Sequence, residues 1–594
     1  MKPAIKIFGN EREIIAESII IEMFQCGEVH PKKLEDIKNT WTKGKNISSP
    51  SNVDLLKSYR KLVGSKKIPE TPWLQKKLRK RSIRTLSGIS PISVLTKPYP
   101  CPGRCVYCPT EKASPEGKTL FEIDSEKKYG PQKIAKKYRR PGALVMPKSY
   151  LSSEPAAMKA LLNSFDPWKQ VQNRIRALKE TGHFPEKCEL IVIGGTFSFL
   201  PKKYQTWFVK RCVQALNEDK SPHKRIEKVL QENEKAQHRA IGIVLETRPD
   251  HITLKEAKRF RFMGCTRVEI GVQTLDDAVS LYTKRGHGNA EVIRATKILR
   301  DAGYKICYHM MPGLPGSTPQ KDLQSFQTMY SDPNFKPDYL KIYPCSVVPF
   351  SELAEWYAQG KFTPATHEDL IPLLLDIKAM TPPWVRITRL IRDIPSTAIL
   401  AGSKITNLRQ HLSFLSKKRG TPCKCIRCRE IRDEKFNPEE IILKRMEYEA
   451  NDGHEIFLSH ETPNGKIIAL LRLRIPSWFF SKNPGKPLFR VLKNCALIRE
   501  LHTYGELVPV GKRTGNSQHG GWGKKLLFEA EKIIDEEYHI PKVAVISGVG
   551  AKDYYRKFGY EEEQTYMVKK LIKKSRRHHD ILKSQKTVQN LTIP

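Results

Sequence analysis

The chain has 594 residues, 39% hydrophobic and 28% charged, enough to build cores in at least two domains. Its formal charge of +41 exceeds what solubility requires and is spread along the whole length, so a polyanion, nucleic acid first, is the expected partner, with a solvated basic surface as the alternative. Thirteen cysteines are too few for a disulfide scaffold, no window approaches the ~20 uninterrupted apolar residues of a membrane span, and the charged opening residues lack a secretory cleavage site, so a cytoplasmic protein without a membrane partner is expected. Residues 1–90 read as a basic helical region, with "SSPSNVD" at 48–54 as a break and possible cap, and "KKLRKRSIR" at 76–84 as its densest cationic run. Between 91 and 400, β-type runs at 92–96, 189–193, 241–245, 267–272, 305–310 and 339–343 alternate with helix-compatible stretches. That alternation predicts a parallel sheet in a partial or full β/α barrel, whose reactive groups gather at the C-terminal ends of its strands. Residues 401–440 form a basic linker. From 441 to 575 the pattern becomes a compact α/β unit with a hairpin at Asn464-Gly465, and a basic tail closes the chain at 576–594.

The cysteines fall into two tight groups. Cys101, Cys105 and Cys108 follow the first barrel strand with the spacing C-x3-C-x2-C. Three thiolates can hold a four-iron, four-sulfur cluster by three irons, leaving the fourth to chelate S-adenosylmethionine (SAM), and this spacing resembles that of radical SAM enzymes. A zinc site with a distant fourth ligand is the alternative. Gly194, Gly195 and Thr196 end the second strand, where backbone without side chains can approach the methionine moiety. Cys423, Cys425 and Cys428 lie on a basic loop and read as structural zinc ligands, completed by His411, His454 or an acidic side chain; three unligated thiols are the alternative. In the last unit, Gln518, Gly521 and Gly523 make Q-x-x-G-x-G at the start of an amphipathic helix, whose N-terminus would face a pyrophosphate. A strand leading in, and a strand and helix carrying Tyr554 and Tyr555 leading out, give an order that resembles GNAT acetyltransferases.

A radical SAM barrel joined to a GNAT-like domain resembles the catalytic subunit of Elongator and its single-chain bacterial and archaeal homologues. The resemblance runs from about 90 to 570 through "CVYCP", "GGTF", "ETRPD", "VEIGVQT", "HMMPGLPG", "TPPWVRITRLIRDIP", "RELHTYG" and "AVISGVGAKDYYRKFGY". It implies a tRNA-modifying enzyme that forms 5-carboxymethyluridine at wobble uridine 34: a SAM-derived radical takes a hydrogen from the acetyl methyl of acetyl-CoA, the carbon radical adds to uridine C5, and the thioester is hydrolysed. It implies a cluster on Cys101, Cys105 and Cys108, and SAM contacts at Gly194, Gly195, Thr196, Glu246, Arg248 and Gln273. For Glu246 and Arg248, a structural pair inside the barrel is the alternative. It implies acetyl-CoA contacts at Lys187, Glu500, Leu501, His502, Thr503, Gln518, Gly521, Trp522, Gly523, Lys524 and Tyr555, with Tyr555 near the thioester. Lys341, Tyr343, Arg386 and Arg389 are expected where strand ends could meet the anticodon stem-loop, unless they form only a basic rim. The Cys423–Cys428 loop looks like the zinc site of bacterial and archaeal homologues, and with the tight cysteine spacing it favours a stand-alone enzyme served by an external electron donor. A protein lysine acetyltransferase with a structural cluster, and a tRNA-binding scaffold with vestigial sites, are the competing readings.

Overall fold

The computed structural model describes residues 9–28, 30–45, 47–79, 88–129, 140–405, 407–432, 434–481, 486–505 and 520–571. Four helices open the chain: Gly9–Cys26, Pro31–Thr42, Asn52–Gly64 and Pro72–Leu78. The expected break is a cap: the Ser51 hydroxyl accepts from the Asp54 backbone N–H, and the Asp54 carboxylate accepts from the Ser51 N–H. These helices enclose their own small core around Ile19, Leu55, Leu56 and Leu74, and lean on the barrel through Arg79 Nε, 3.0 Å from the Gly182 carbonyl.

Seven parallel strands follow in sequential order: β1 (Ile89–Leu95), β2 (Lys187–Ile193), β3 (Arg239–Thr247), β4 (Arg267–Gln273), β5 (Lys305–Met310), β6 (Tyr339–Ile342) and β7 (Arg386–Arg389). The sheet does not close, because β1 and β7 stand at its two edges. It is the partial β/α barrel expected, one strand longer than the six runs legible in the sequence. Strand periodicity decides what each face meets. On β2, Cys188, Leu190 and Val192 are fully buried toward the helices, while Lys187, Glu189, Ile191 and Ile193 turn to the inside of the barrel. Across the open edge, Arg392 holds Glu154 at 2.8 and 2.9 Å and lies over the Tyr150 ring.

The second sheet runs β13 (Glu561–Glu563), β14 (Tyr566–Lys570), β12 (Lys542–Val545), β11 (Cys495–Thr503), β10 (Ile467–Ile475), β9 (Gly453–Glu461), β8 (Ile442–Ala450). The expected hairpin joins β9 to β10, with Gly465 at φ 78°. Only β11 and β12 pair in parallel, and only over Cys495–Ile498 and Lys542–Val545. Beyond Ile498, β11 leaves β12, and helix Trp522–Glu536 packs on β10 and β11. This arrangement matches the expected GNAT-like domain. The two halves meet in an apolar cluster, since Leu497, Ala544 and Tyr566 pack with the barrel strands, while the second sheet keeps a core of its own around Phe457, Leu471 and Leu526. No described helix is long and apolar enough to cross a membrane.

Candidate active site

Cys101, Cys105 and Cys108 lie on the loop beyond β1, at the C-terminal end of the barrel strands. Neighbouring loops grip its backbone: Val106 N–H donates to Thr283, Thr110 N–H to Phe350, and Leu353 N–H to Val106, at 2.8–3.1 Å. Cys101 Sγ lies 3.5 Å from Thr196 Oγ1 in the turn after β2. Gly194 and Gly195 in that turn have φ 137° and 80°, and a Cβ on Gly194 would collide with Thr96, so glycine is required there. A hydrogen bond from Cys108 pulls the Cys105 thiol well below its ordinary pKa, helped by the guanidinium of Arg285, while Cys108 is pushed up in return. Among the described residues, these three do not form a compact single-ion set of the kind made by Cys423, Cys425 and Cys428.

A cavity of about 970 Å³ begins beside Cys108 and Tyr107, fills the barrel, and continues onto the second sheet. Glu246 lines it and accepts from Tyr150 Oη at 3.1 Å, whereas Arg248 makes a two-pronged pair with Asp250 at 2.8 and 2.9 Å. Glu246 and Arg248 therefore do not pair with each other, and the structural-pair alternative falls. Gln273, at φ 76°, ends β4 with Oε1 buried and unpartnered. Deeper in, Glu269 is buried between His309 Nε2 at 3.0 Å, Lys341 and Arg267. Glu269, Cys307 and His309 lie close enough to hold an ion, but Lys341 and Arg267 already neutralise that carboxylate.

The cations expected at an RNA-facing rim mostly turn inward. Lys341 is buried against Glu269, Tyr343 packs edge-on to His309, and Arg386 is paired with Glu430 and donates to Tyr504 Oη at 2.8 Å. Period 2 on short strands sends these side chains into the barrel, which the run of alternating charges does not reveal. Only Arg389, half-exposed and 3.2 Å from Asp393, remains beside an open end of the cavity.

At the far end, Lys187 and Arg239 begin β2 and β3 and line the cavity; burial, then repulsion from Arg239, lowers the Lys187 pKa. The freed end of β11 supplies Glu500, Leu501, His502 and Thr503 to the same lining. Burial alone would raise Glu500, but Arg472 at 2.8 Å and Lys305 outweigh it and bring the carboxyl down to about 2. Burial holds His502 down to about 4, so the imidazole is neutral at pH 7. Gly521 caps the next helix at φ 75°, and a Cβ on Gly523 would sit 2.9 Å from Tyr554 Oη and 3.4 Å from Thr503 Cγ2. Lys524 also lines the cavity and reaches over Phe528; Trp522 is buried against His460, so its ring belongs to the core. Tyr555 is buried, lines the cavity and has its phenol pKa pushed up by burial; Tyr554 rises to about 12 for the same reason. Gln518 lies outside the described residues, as do Lys80, Arg81 and the basic tail.

At the joint of the two domains, the ligand atoms of Cys423, Cys425 and Cys428 lie within 4.8 Å of one another. Hydrogen bonds from the Cys423 and Cys428 thiols pull the Cys425 thiol well below its ordinary pKa, against the effect of burial. The turn is tied to the barrel by Ile426 N–H to Val385 O at 2.9 Å. Among the described residues no histidine or carboxylate joins the three sulfurs in that set, and His454 is held elsewhere by Glu447 and Glu449 at 2.5 and 2.7 Å.

Residues 99–327 match the Radical SAM superfamily and 337–417 the Radical_SAM C-terminal domain. The tRNA uridine(34) acetyltransferase of Methanocaldococcus jannaschii is 39% identical over 94% of this chain and 97% of its own length. That of Dehalococcoides mccartyi is 40% identical over 83% and 100%, and Elongator complex protein 3 of Homo sapiens 37% over 84% and 87%. A solved structure, the archaeal Methanocaldococcus infernus Elp3 with an N-terminal deletion, covers 82% of this chain and 100% of its own at 36% identity and TM-score 0.67. The chain belongs to the radical SAM family of tRNA uridine(34) acetyltransferases and Elongator complex protein 3. In this Elongator-type chain the residues beyond β1 suit an iron–sulfur cluster: a soft three-sulfur donor set, glycine-opened backbone beside it, and two buried guanidiniums, Arg248 and Arg285, within 4.0 Å of Cys105 Sγ. Sequence reading missed Arg285, Tyr150, Glu269 and His309. "KRGHG" and "VEIGVQT" carry Arg285 and Glu269 in plain view, but Glu269's aim into the barrel follows only from strand register and Arg285's place beside Cys105 only from the packing of its turn on the cysteine loop.

Proposed function

We propose that this chain modifies wobble uridine 34 of tRNA, forming 5-carboxymethyluridine from acetyl-CoA. The observation that carries the reading is the cavity itself: one continuous space lined by Cys108, Glu246 and Gln273 at one end and by Glu500, His502, Gly523 and Tyr555 at the other. A nucleophilic acetyltransferase has no use for a passage from its thioester site into a barrel; a reaction that must bring an acetyl methyl to a radical source requires one. The cluster on Cys101, Cys105 and Cys108, with SAM bound, would supply a primary carbon radical able to break an unactivated methyl C–H bond. The chain's own residues then do the rest. Gly194, Gly195, Thr196, Glu246, Arg248 and Gln273 form a polar cradle for SAM beside the cysteines. Lys187, residues 500–503 and Gly521 to Lys524 receive the acetyl-CoA, with the helix N-terminus at Gly521 facing its phosphates. Tyr555, kept protonated by burial, can donate a hydrogen bond to the thioester. Glu246 and Tyr150 orient one another, and the Glu269–Lys341 pair keeps the middle of the barrel polar without net charge.

On this reading the working units are residues 1–90 for tRNA, 91–400 for radical chemistry, 401–440 for a structural zinc on Cys423, Cys425 and Cys428, and 441–575 for acetyl-CoA. The high positive charge suits tRNA, and the names of its relatives agree with such a substrate. The deciding experiment supplies acetyl-CoA with deuterium on its methyl group, together with tRNA, SAM and a one-electron reductant. Deuterium should appear in 5′-deoxyadenosine and, on tRNA, in carboxymethyluridine. Unlabelled 5′-deoxyadenosine together with fully labelled acetyl-lysine on a protein substrate would overturn the proposal in favour of a protein acetyltransferase. Cys108→Ser should abolish product while acetyl-CoA binding persists, and Tyr555→Ala should impair acetyl-CoA use while iron content persists.

A further inference from the structure

Among the described residues, Arg285 is a buried cation with no acidic partner. It follows helix Asp277–Tyr282 in the turn whose Thr283 carbonyl anchors the cysteine loop, and it is 5% exposed. One guanidinium nitrogen lies 3.4 Å from Cys105 Sγ, another donates to the Gly271 carbonyl, and Nε is buried without a partner. Among the described residues no carboxylate forms an ion pair with it. Its neighbour Arg248 also lies 4.0 Å from Cys105 Sγ, yet there the charge is answered by Asp250. Arginine does not lose its proton in proteins, and a buried charge without a counter-charge is strongly disfavoured. The anion that balances Arg285 must therefore come from what the cysteines carry.

We propose that Arg285 is the fixed counter-charge of the iron–sulfur cluster on Cys101, Cys105 and Cys108 and sets its reduction potential. The proposal rests on the cluster assignment made above. A four-iron cluster on three thiolates carries one net negative charge when oxidised and two after taking one electron from an external low-potential donor. A cation held against one of its sulfurs stabilises the reduced form more than the oxidised one. The N–H···S hydrogen bond withdraws density from the same sulfur, so both effects raise the potential and ease reduction. Arg285 acts through Cys105 and is a positioning residue, not a catalytic one. Asp250 has the opposite influence, because it cancels the second nearby guanidinium.

The test is a potentiometric titration of the anaerobically reconstituted full-length chain, using dithionite as reductant and the electron-spin resonance signal of the reduced cluster as readout. Arg285→Met should make the cluster at least tenfold harder to reduce, equal to 59 mV or more for one electron. Arg285→Lys, which keeps the charge but not the planar fork, should fall between. Asp250→Asn should shift the potential upward, a reversal that loss of packing does not predict. If Arg285→Met fails to retain iron, the Arg285→Lys and Asp250→Asn shifts decide alone. Wild-type potentials in iron-loaded Arg285→Lys and Asp250→Asn would overturn the proposal and leave Arg285 a structural residue. A wild-type chain that binds no four-iron cluster would overturn the cluster assignment itself, and the proposal with it.

Discussion

Arg499 on β11 closes on Asp338, at the entrance to β6, with two guanidinium nitrogens at 2.5 and 2.9 Å, and neither side chain is exposed. The pair bolts the second sheet to the barrel. Arg472 and Arg300 crowd the same carboxylate at 3.5 and 3.9 Å, and Glu455 shares the surplus positive charge. Removing one partner leaves the others buried and unanswered, which typically costs about 3–5 kcal/mol. Asp338→Asn should therefore lower the thermal midpoint and separate the unfolding of the two sheets in calorimetry. A single unshifted transition would show that the apolar cluster alone holds the domains together.

The compact sulfur set at the same joint predicts a metal-dependent fold locally. Cys425→Ser should lose the zinc detected by elemental analysis while leaving the iron content intact, because the two cysteine groups lie on different loops. A strong chelator should reproduce the loss of stability in the parent chain and have no further effect on the variant. Zinc retained in full by Cys425→Ser would rule out Cys425 as a ligand.

Stability should also fall at mildly acidic pH. Burial holds His460 and His502 down to about 4, below the ~6.5 of an exposed imidazole. The unfolded chain therefore takes up protons first: the contribution is fully present above pH ~6.5 and is lost as pH falls toward 4, on the order of 3 kcal/mol per ring at most. Glu500, down at about 2, follows only below pH ~4.5. His454, raised by Glu449 and Glu447 against the effect of burial, works in the other direction but is partly exposed and weaker. Denaturant midpoints should thus decline between pH 7 and 5, and His460→Gln should flatten that decline. An equal slope in the variant would remove His460 from the account.

The barrel was legible because six of its strands are apolar runs punctuated by helices, and the cysteine spacing points to their C-terminal ends. β7 was not, because "RITR" is four residues long and half arginine. β8 was hidden for a different reason: as an edge strand it leaves residues 442–445 all exposed, Ile442 and Leu443 as well as Lys444 and Arg445, so its start lacks the usual alternation. Lys341 and Arg386 read as surface cations because charge on a strand gives no hint of which face is inside. The barrel interior is polar here, and that inversion is itself the mark of a ligand-lined cavity. Glycines were the most transferable signal, since Gly194, Gly195 and Gly521 have positive φ and Gly523 is closely packed, as their placement implied.

Gly523 gives the most discriminating of these expectations. It is the second residue of helix Trp522–Glu536, where its backbone has ordinary helical freedom, and alanine there would normally favour the helix by up to ~1 kcal/mol. Yet its missing Cβ leaves room for Tyr554 Oη at 2.9 Å and Thr503 Cγ2 at 3.4 Å, at the wall of the cavity where acetyl-CoA is proposed to enter. Gly523→Ala should therefore keep or raise the thermal midpoint while weakening acetyl-CoA binding about tenfold, ~1.4 kcal/mol. The displaced group is the Tyr554 hydroxyl, so Tyr554→Phe in the same chain should recover much of the affinity. Isothermal titration of both variants with acetyl-CoA separates the outcomes. Weakened binding that Tyr554→Phe does not relieve would place the fault in the helix N-terminus itself, and unchanged binding would move the acetyl-CoA site away from this wall.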